Sequence, residues 1–180
     1  MKRIFLIGGL ATAFLLIVLA ASAQNKPNFA GTWVLDKAKS QGLSQRMQGA
    51  DKVTWTITQD DKTIAIDSKV EGGQSAGGPG GGGGGRPGAG GPQSYNLDGS
   101  ETTSEIGGGQ MTGKAVSKAT WSASDLNLSR KSTFQGPNGE IISTNTQKLS
   151  LSGDCKVLTA VTHNESPRGT TDSTLVFNKQ

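Results

Sequence analysis

KAVSKATWSASDLNLSRKSTF, residues Lys114 to Phe134, is the stretch that decides the fold. Apolar residues alternate with Ser, Thr, Lys and Asn on both sides of Ser124-Asp125, which is the period-two pattern of half-buried strands. A two-residue turn at Ser124-Asp125 places Trp121 opposite Leu128 and brings the apolar side chains to one face. A one-residue slip would turn that face to water, so the pattern predicts one long antiparallel hairpin.

The same alternation continues through the chain and predicts about ten strands. They span residues 31–35, 52–59, 62–70, 94–97, 100–106, 114–123, 126–135, 140–151, 156–164 and 170–179. A turn at Asp60-Asp61 would place Trp55 opposite Ile66. Only Lys37 to Ala50 could hold a helical turn. Short loops favour antiparallel neighbours, and a long sheet of this kind curls or closes. We therefore predict an all-β, antiparallel up-and-down meander barrel of about 8–10 strands.

The first 23 residues are predicted to be a signal peptide. Lys2 and Arg3 precede an apolar run that ends in the small-residue cleavage motif Ala21-Ser22-Ala23. The alternative is an uncleaved anchor, because the run is about long enough to span a bilayer. Cleavage would make the mature protein secreted or periplasmic and free of stable membrane insertion. It would also leave 16 basic and 14 acidic residues, a balance that favours no nucleic-acid partner.

Residues 24–180 are expected to form a single β-barrel domain with a glycine-rich insert at 72–93. Thirteen of the residues from 72 to 91 are Gly, so this stretch cannot bury enough surface to offset its ordering entropy. We expect the insert to be disordered and to span roughly 25 Å as a flexible coil.

Chemistry-bearing residues are scarce. One Cys and one His exclude a disulfide framework and make a Cys/His zinc site implausible. His163 has Glu165 two residues on, but no Gly-x-Ser-x-Gly motif supplies a nucleophile. We therefore expect no catalytic residues, no metal and no cofactor, and interpret His163 as a strand-end residue. Cys155 follows a predicted turn and is either an incidental thiol in a monomer or the link of a disulfide-bonded dimer.

The most informative pattern is polar and lies on the predicted inward face. Arg130 is in phase with Leu128, and Asn145 and Gln147 are in phase with the apolar residues of the next strand. A dry core would not accept a bare guanidinium. Either the barrel holds a wet cavity or Arg130 ends at a rim, where it could lie over Trp121 as a cation–π contact. In the first case all five of these residues are candidates for binding a ligand.

Phe29-Ala30-Gly31-Thr32-Trp33 resembles the Phe-x-Gly-x-Trp start of the lipocalin-like (calycin) barrels. The wider chain resembles uncharacterised secreted bacterial lipocalin-like proteins, in the opening segment 31–40, in Leu149 to Thr159 and in the closing Leu175 to Lys179. The resemblance implies that Phe29, Gly31 and Trp33 plug the closed end of the barrel. The chain differs from true lipocalins at their second motif, Thr-Asp-Tyr, because Thr171-Asp172 is followed here by Ser173.

Two functions from different classes fit this pattern. The first is a secreted, non-enzymatic carrier that binds a small amphiphilic or hydrophobic ligand in the barrel, as the resemblance implies. The alternative is an envelope or matrix protein that has a filled core and no small-molecule ligand, and that contacts other macromolecules through its surface. A lumen of about 300 Å³ or more would favour the carrier.

Overall fold

The computed structural model describes residues 26–72, 91–108, 111–136 and 139–180. They form ten strands and one short helix, α1 (Gln45–Gly49). The strands are β1 (Gly31–Leu35), β2 (Lys52–Gln59), β3 (Thr63–Glu71), β4 (Gln93–Asn96), β5 (Thr102–Gly108), β6 (Met111–Ser122), β7 (Asp125–Gly136), β8 (Gly139–Leu151), β9 (Val157–Ser166) and β10 (Gly169–Lys179). Every predicted strand is therefore confirmed, with bounds that differ by no more than a few residues.

All ten strands belong to one antiparallel sheet, in the order β4-β3-β2-β1-β10-β9-β8-β7-β6-β5. Strands that follow each other in the chain are neighbours in the sheet, and β1 also pairs with the last strand, β10. The two edge strands, β4 and β5, approach each other, and β4 also contacts β6. The result is a nearly closed up-and-down barrel, so the predicted all-β, antiparallel meander barrel is confirmed.

Two turns differ from the prediction by one position. Asp60 begins the β2–β3 turn instead of lying in its centre, because its carboxylate accepts hydrogen bonds from the backbone N–H groups of Lys62 and Thr63 at 2.8 and 2.6 Å. Ile57 rather than Trp55 is therefore opposite Ile66. Asp side chains favour both positions of a turn, and the sequence alone did not distinguish them.

The β6–β7 turn is centred on Ala123 and Ser124. Ala123 has a φ of 55°, a left-handed conformation that costs roughly 1 kcal/mol for a residue with a Cβ. Trp121 is consequently opposite Leu126, not Leu128 as predicted. Moving a turn centre by one position shifts the register by two residues, which leaves every side chain on its predicted face.

The barrel core is concentrated at the end where β1 begins, which we call the Trp33 end. Trp33 is 0% exposed, its indole N–H donates to the carbonyl oxygen of Phe29 at 2.9 Å, and Lys179 Nζ lies 5.2 Å from the ring centroid. The β2–β3 turn reaches this end through a 2.9 Å hydrogen bond from Phe29 N to Gln59 Oε1. The opposite end, which carries the β7–β8 turn, is called the far end below.

The connection between β1 and β2 packs against the same core. It contains α1, which lies inside the predicted span of 37–50 and whose first turn is capped by the Ser44 hydroxyl. Leu43 and Met47 contact the buried cluster, and Ala50 is itself buried. The helix is short because only these few apolar residues anchor it.

The predicted signal peptide (1–23) and most of the glycine-rich insert (residues 73–90 of 72–93) lie outside the described residues. Within the described ranges, no helix has the length and apolar character needed to cross a bilayer.

Trp33→Ala should lower the free energy of unfolding by about 3–5 kcal/mol, because it empties a large buried site and removes the bond to Phe29. Chemical denaturation measures the change. Val34→Ala, on the other face of β1, is the matched control and should cost less than half as much. A loss below about 1 kcal/mol for Trp33→Ala would show that this residue does not organise the Trp33 end.

Candidate functional site

A row of polar residues crosses the inner face of six adjacent strands. Residues directly opposite each other in a sheet share a face, so the strand register identifies the row without further assumption. The row, which we call the polar belt, consists of Thr102, Ser117, Arg130, Asn145, Asn164 and Thr171. Ser117 is almost completely buried, which shows that this face points into the barrel.

Arg130 is the only charged member of the polar belt. Its side chain is half-buried, and no ion pair among the described residues includes it. The buried Tyr95 belongs to β4, the edge strand that lies against β5 and β6, and its hydroxyl donates to Gln93 Oε1 at 3.1 Å. Burial raises the pKa of Tyr95, and the positive charge of Arg130 acts on it in the opposite direction. Arg130 therefore adds a positive charge to the inner face of the barrel, and no ion pair among the described residues balances it.

Three of the other predicted ligand-binding residues lie beside Arg130. Asn145 is directly opposite it on β8, while Leu128 and Gln147 form the adjacent pair toward the Trp33 end. Asn145 and Gln147 are half-buried, and Leu128 is fully buried. The structure therefore brings a cation, two amides and an apolar floor together, as the shared phase of these residues had suggested.

Trp121 is the exception, because the corrected register moves it away from Arg130. It lies near the β6–β7 turn, four residues from the partner of Arg130, or about 13 Å along the strand. Its ring stacks on Phe29 at a centroid distance of 6.1 Å, and Lys26 Nζ lies 5.3 Å from it. The cation–π contact on this tryptophan, one of the alternatives considered for Arg130, is made by Lys26 instead, and Trp121 lies at the Trp33 end with Phe29 and Trp33.

Sequence reasoning missed two residues of the inner face. Tyr95 comes from the short β4, whose place beside β5 and β6 depends on closure of the sheet. Thr162 is opposite Gln147, and its hydroxyl is buried without a hydrogen-bond partner among the described residues. Thr162 is in phase with the apolar residues Leu158 and Ala160 at alternate positions of β9, and this pattern could have identified it.

Two depressions lie mainly outside this inner face, although the inner-face residues Leu128 and Gln147 also line the first of them. One, of about 290 Å³, lies mainly over the outer surface of β6 to β9, where Lys118, Thr146, Val161 and His163 border it. The other, of about 270 Å³, is at the Trp33 end between Lys26, Asp61 and Trp121. Their location means that neither measures the volume of the lumen.

His163 is bound to two carboxylates on the outer face. Its Nδ1 lies 2.5 Å from Asp172 Oδ1 and its Nε2 lies 3.2 Å from Glu165 Oε1. Both ring nitrogens are engaged, so this His does not offer the serine–histidine pair that covalent catalysis requires. The hydrogen bond to Asp172, followed by that to Glu165, raises the pKa of His163 above its ordinary value of 6.5.

The remaining candidates for chemistry are isolated. Cys155 is an exposed free thiol in the β8–β9 turn, where its φ is 55°. In the part of the chain that the structure describes, no group of three or more His, Cys, Asp or Glu side chains is placed to hold a metal ion.

No model of a known protein family matches this chain, and no curated protein matches it either. Among solved structures, the chain is similar to zebrafish ileal bile acid-binding protein, crystallised in complex with cholic acid. The two share 15% identity over 84% of this chain and 98% of that chain, with a TM-score of 0.46. A similarity this distant does not bear on the ligand or activity of this chain; the barrel fold follows from its own strand order.

The single His makes its titration directly observable by NMR. The pKa of His163 should exceed 6.5, and its stabilising effect should be complete below about pH 6.5 and be lost as the pH rises through the raised folded-state pKa. Asp172→Asn should bring the pKa back toward 6.5. Asp125→Asn, which removes a carboxylate bound to Lys148 at 2.8 Å, is the control and should leave it unchanged. An ordinary pKa in the unmodified protein would contradict the two-carboxylate arrangement.

Proposed function

We propose that the barrel is a non-enzymatic carrier that binds a small amphiphilic anion in its far half, with the anionic group on Arg130. The observation that carries this proposal is a half-buried guanidinium on the inner face that has no carboxylate partner among the described residues. The surrounding amides and hydroxyls can accept its hydrogen bonds but cannot neutralise its charge. A carboxylate or phosphate would do both, and Arg binds such groups through two parallel hydrogen bonds.

The orientation of the ligand follows from the packing on either side of Arg130. Toward the Trp33 end, Ala119, Leu126 and Leu128 are already fully buried, so an apolar tail cannot enter there without displacing them. Toward the far end, Phe134 shares the face of Arg130 and is half-buried.

The far-end mouth is apolar enough to receive a tail. Its inner face carries the directly paired row of Ile106, Gly113, Phe134 and Ile141. Ile141 is 41% exposed, and an apolar ligand at the mouth would cover it. The head of the ligand would therefore lie deep in the barrel and its tail at the mouth.

The alternative is an interaction protein with no small-molecule ligand. The complete burial of the large side chains at the Trp33 end favours it, because half of the barrel is a filled core. The two functions differ in the far half, where only the carrier requires the charge of Arg130.

Arg130→Met separates the two, because Met keeps much of the side-chain length and removes the charge. With decanoate as the probe, isothermal titration calorimetry should show binding to the unmodified protein and an affinity about 10–100-fold lower for Arg130→Met, the effect of losing hydrogen bonds to a charged group. The melting temperature should stay the same or rise, since a desolvated charge is removed. Lys131→Met, the neighbouring exposed cation on the outer face, is the matched control. Equal binding by Arg130→Met, or no binding by the unmodified protein, would favour the filled barrel.

We also propose that the protein works after export, in the periplasm or the medium, and as a monomer unless Cys155 links two chains. The signal-peptide pattern of residues 1–23 supports the first part. N-terminal sequencing of protein recovered from the native host should begin at Gln24. A sequence that begins at Met1 would support the uncleaved anchor instead.

A further inference from the structure

We infer that the anionic head bound by Arg130 also carries hydroxyl groups, so that the ligand class is an amphiphile with a sugar-acid or hydroxy-acid head. This inference rests on the proposed function and adds to it the chemistry of the head. It starts from two buried hydroxyls of the inner face, those of Thr102 and Thr162, that have no hydrogen-bond partner among the described residues.

Thr162 is the stronger of the two. It is 9% exposed, and β9 otherwise presents Leu158 and Ala160 to the core on this face. A buried hydroxyl without a partner destabilises the fold, and Val would fit the same space without that loss. A polar group at this position is therefore best explained by a partner that enters the barrel.

Thr102 lies on the other side of Arg130. Thr102 belongs to the polar belt and lies on β5, two strands from Arg130. Thr162 lies on β9, two strands from Arg130 in the other direction, and is one inner-face position nearer the Trp33 end. At a strand spacing of about 4.8 Å, each threonine is roughly 10–12 Å from Arg130 between Cα atoms. The extended guanidinium side chain shortens the gap, so a head of the size of one sugar ring can contact Arg130 and at least one threonine.

A plain carboxylate would use only part of this site. Its two oxygens are satisfied by the guanidinium, which leaves the threonine hydroxyls, Asn145 and Gln147 without ligand contacts. Hydroxyl groups both donate and accept hydrogen bonds, so they can pair with Thr162 and with either the oxygen or the NH2 group of a side-chain amide. The belt is thus matched to a head that carries several hydroxyls beside its charge.

The experiment compares two probes that differ in the head, octyl glucuronide and decanoate, on four proteins: the unmodified protein, Arg130→Met and two threonine variants. Thr162→Val removes one hydroxyl and keeps the shape, and Thr159→Val makes the same change on the outer face of β9 as the control. Titration calorimetry gives the affinities, and thermal unfolding without ligand gives the stabilities.

The unmodified protein should bind octyl glucuronide more tightly than decanoate. Thr162→Val should lower the affinity for octyl glucuronide about tenfold, the factor for one hydrogen bond, and leave that for decanoate unchanged. Its melting temperature without ligand should rise by about 2–4 °C, because an unpartnered buried hydroxyl is removed. Thr159→Val should change neither affinity.

Failure of this inference is distinguishable from failure of the proposed function. If decanoate binds through Arg130 but octyl glucuronide binds no tighter, or if Thr162→Val keeps full affinity for it, the hydroxyl-bearing head is wrong and the anion carrier stands. If neither probe binds the unmodified protein, or if Arg130→Met leaves both affinities unchanged, both proposals are overturned.

Discussion

The structure depends on one constraint, the alternation of side chains across a pleated sheet that is curled nearly into a barrel. In an antiparallel meander with short turns, each turn sets the register of the strand that follows it. A whole row of paired residues therefore points into the interior together. The core at the Trp33 end and the polar belt are two stretches of that same inner face. The closure of β1 on β10 then brings the first and last strands of the chain together.

This constraint explains why a charged residue is tolerated inside the barrel. Arg130 follows Leu126 and Leu128 at alternate positions of β7, and all three must point the same way. Turning the guanidinium outward would expose both leucines, which are fully buried, at a cost of about 1.5–3 kcal/mol each. The protein keeps the charge half-buried, with the polar side chains of Ser117 and Asn145 directly opposite it on the adjacent strands.

The outer face follows different rules because water reaches it. His163, Glu165 and Asp172 come together across β9 and β10 on the exposed surface, where solvent screens the pairs and their contribution to stability is small. The same three types of residue inside the barrel would suggest a catalytic site. On the outer face, with both imidazole nitrogens bound to carboxylates, they link two strands.

The sequence by itself determined the ten strands, the helical turn between β1 and β2, and the inward face that holds Arg130, Asn145 and Gln147. These features depend on alternation, a local property that survives a register shift of two residues. It did not determine the turn centres, because Asp60 and Asp125 suit several turn positions, and so it placed Trp121 beside the candidate site rather than at the Trp33 end. Only the tertiary structure decided that β4 brings the buried Tyr95 against β5 and β6, that the floor below Leu128 is already filled, and that the Thr162 hydroxyl has no partner among the described residues. Each of these depends on which distant strands meet across the barrel, and contacts between residues far apart in the chain leave no periodic signal in the sequence.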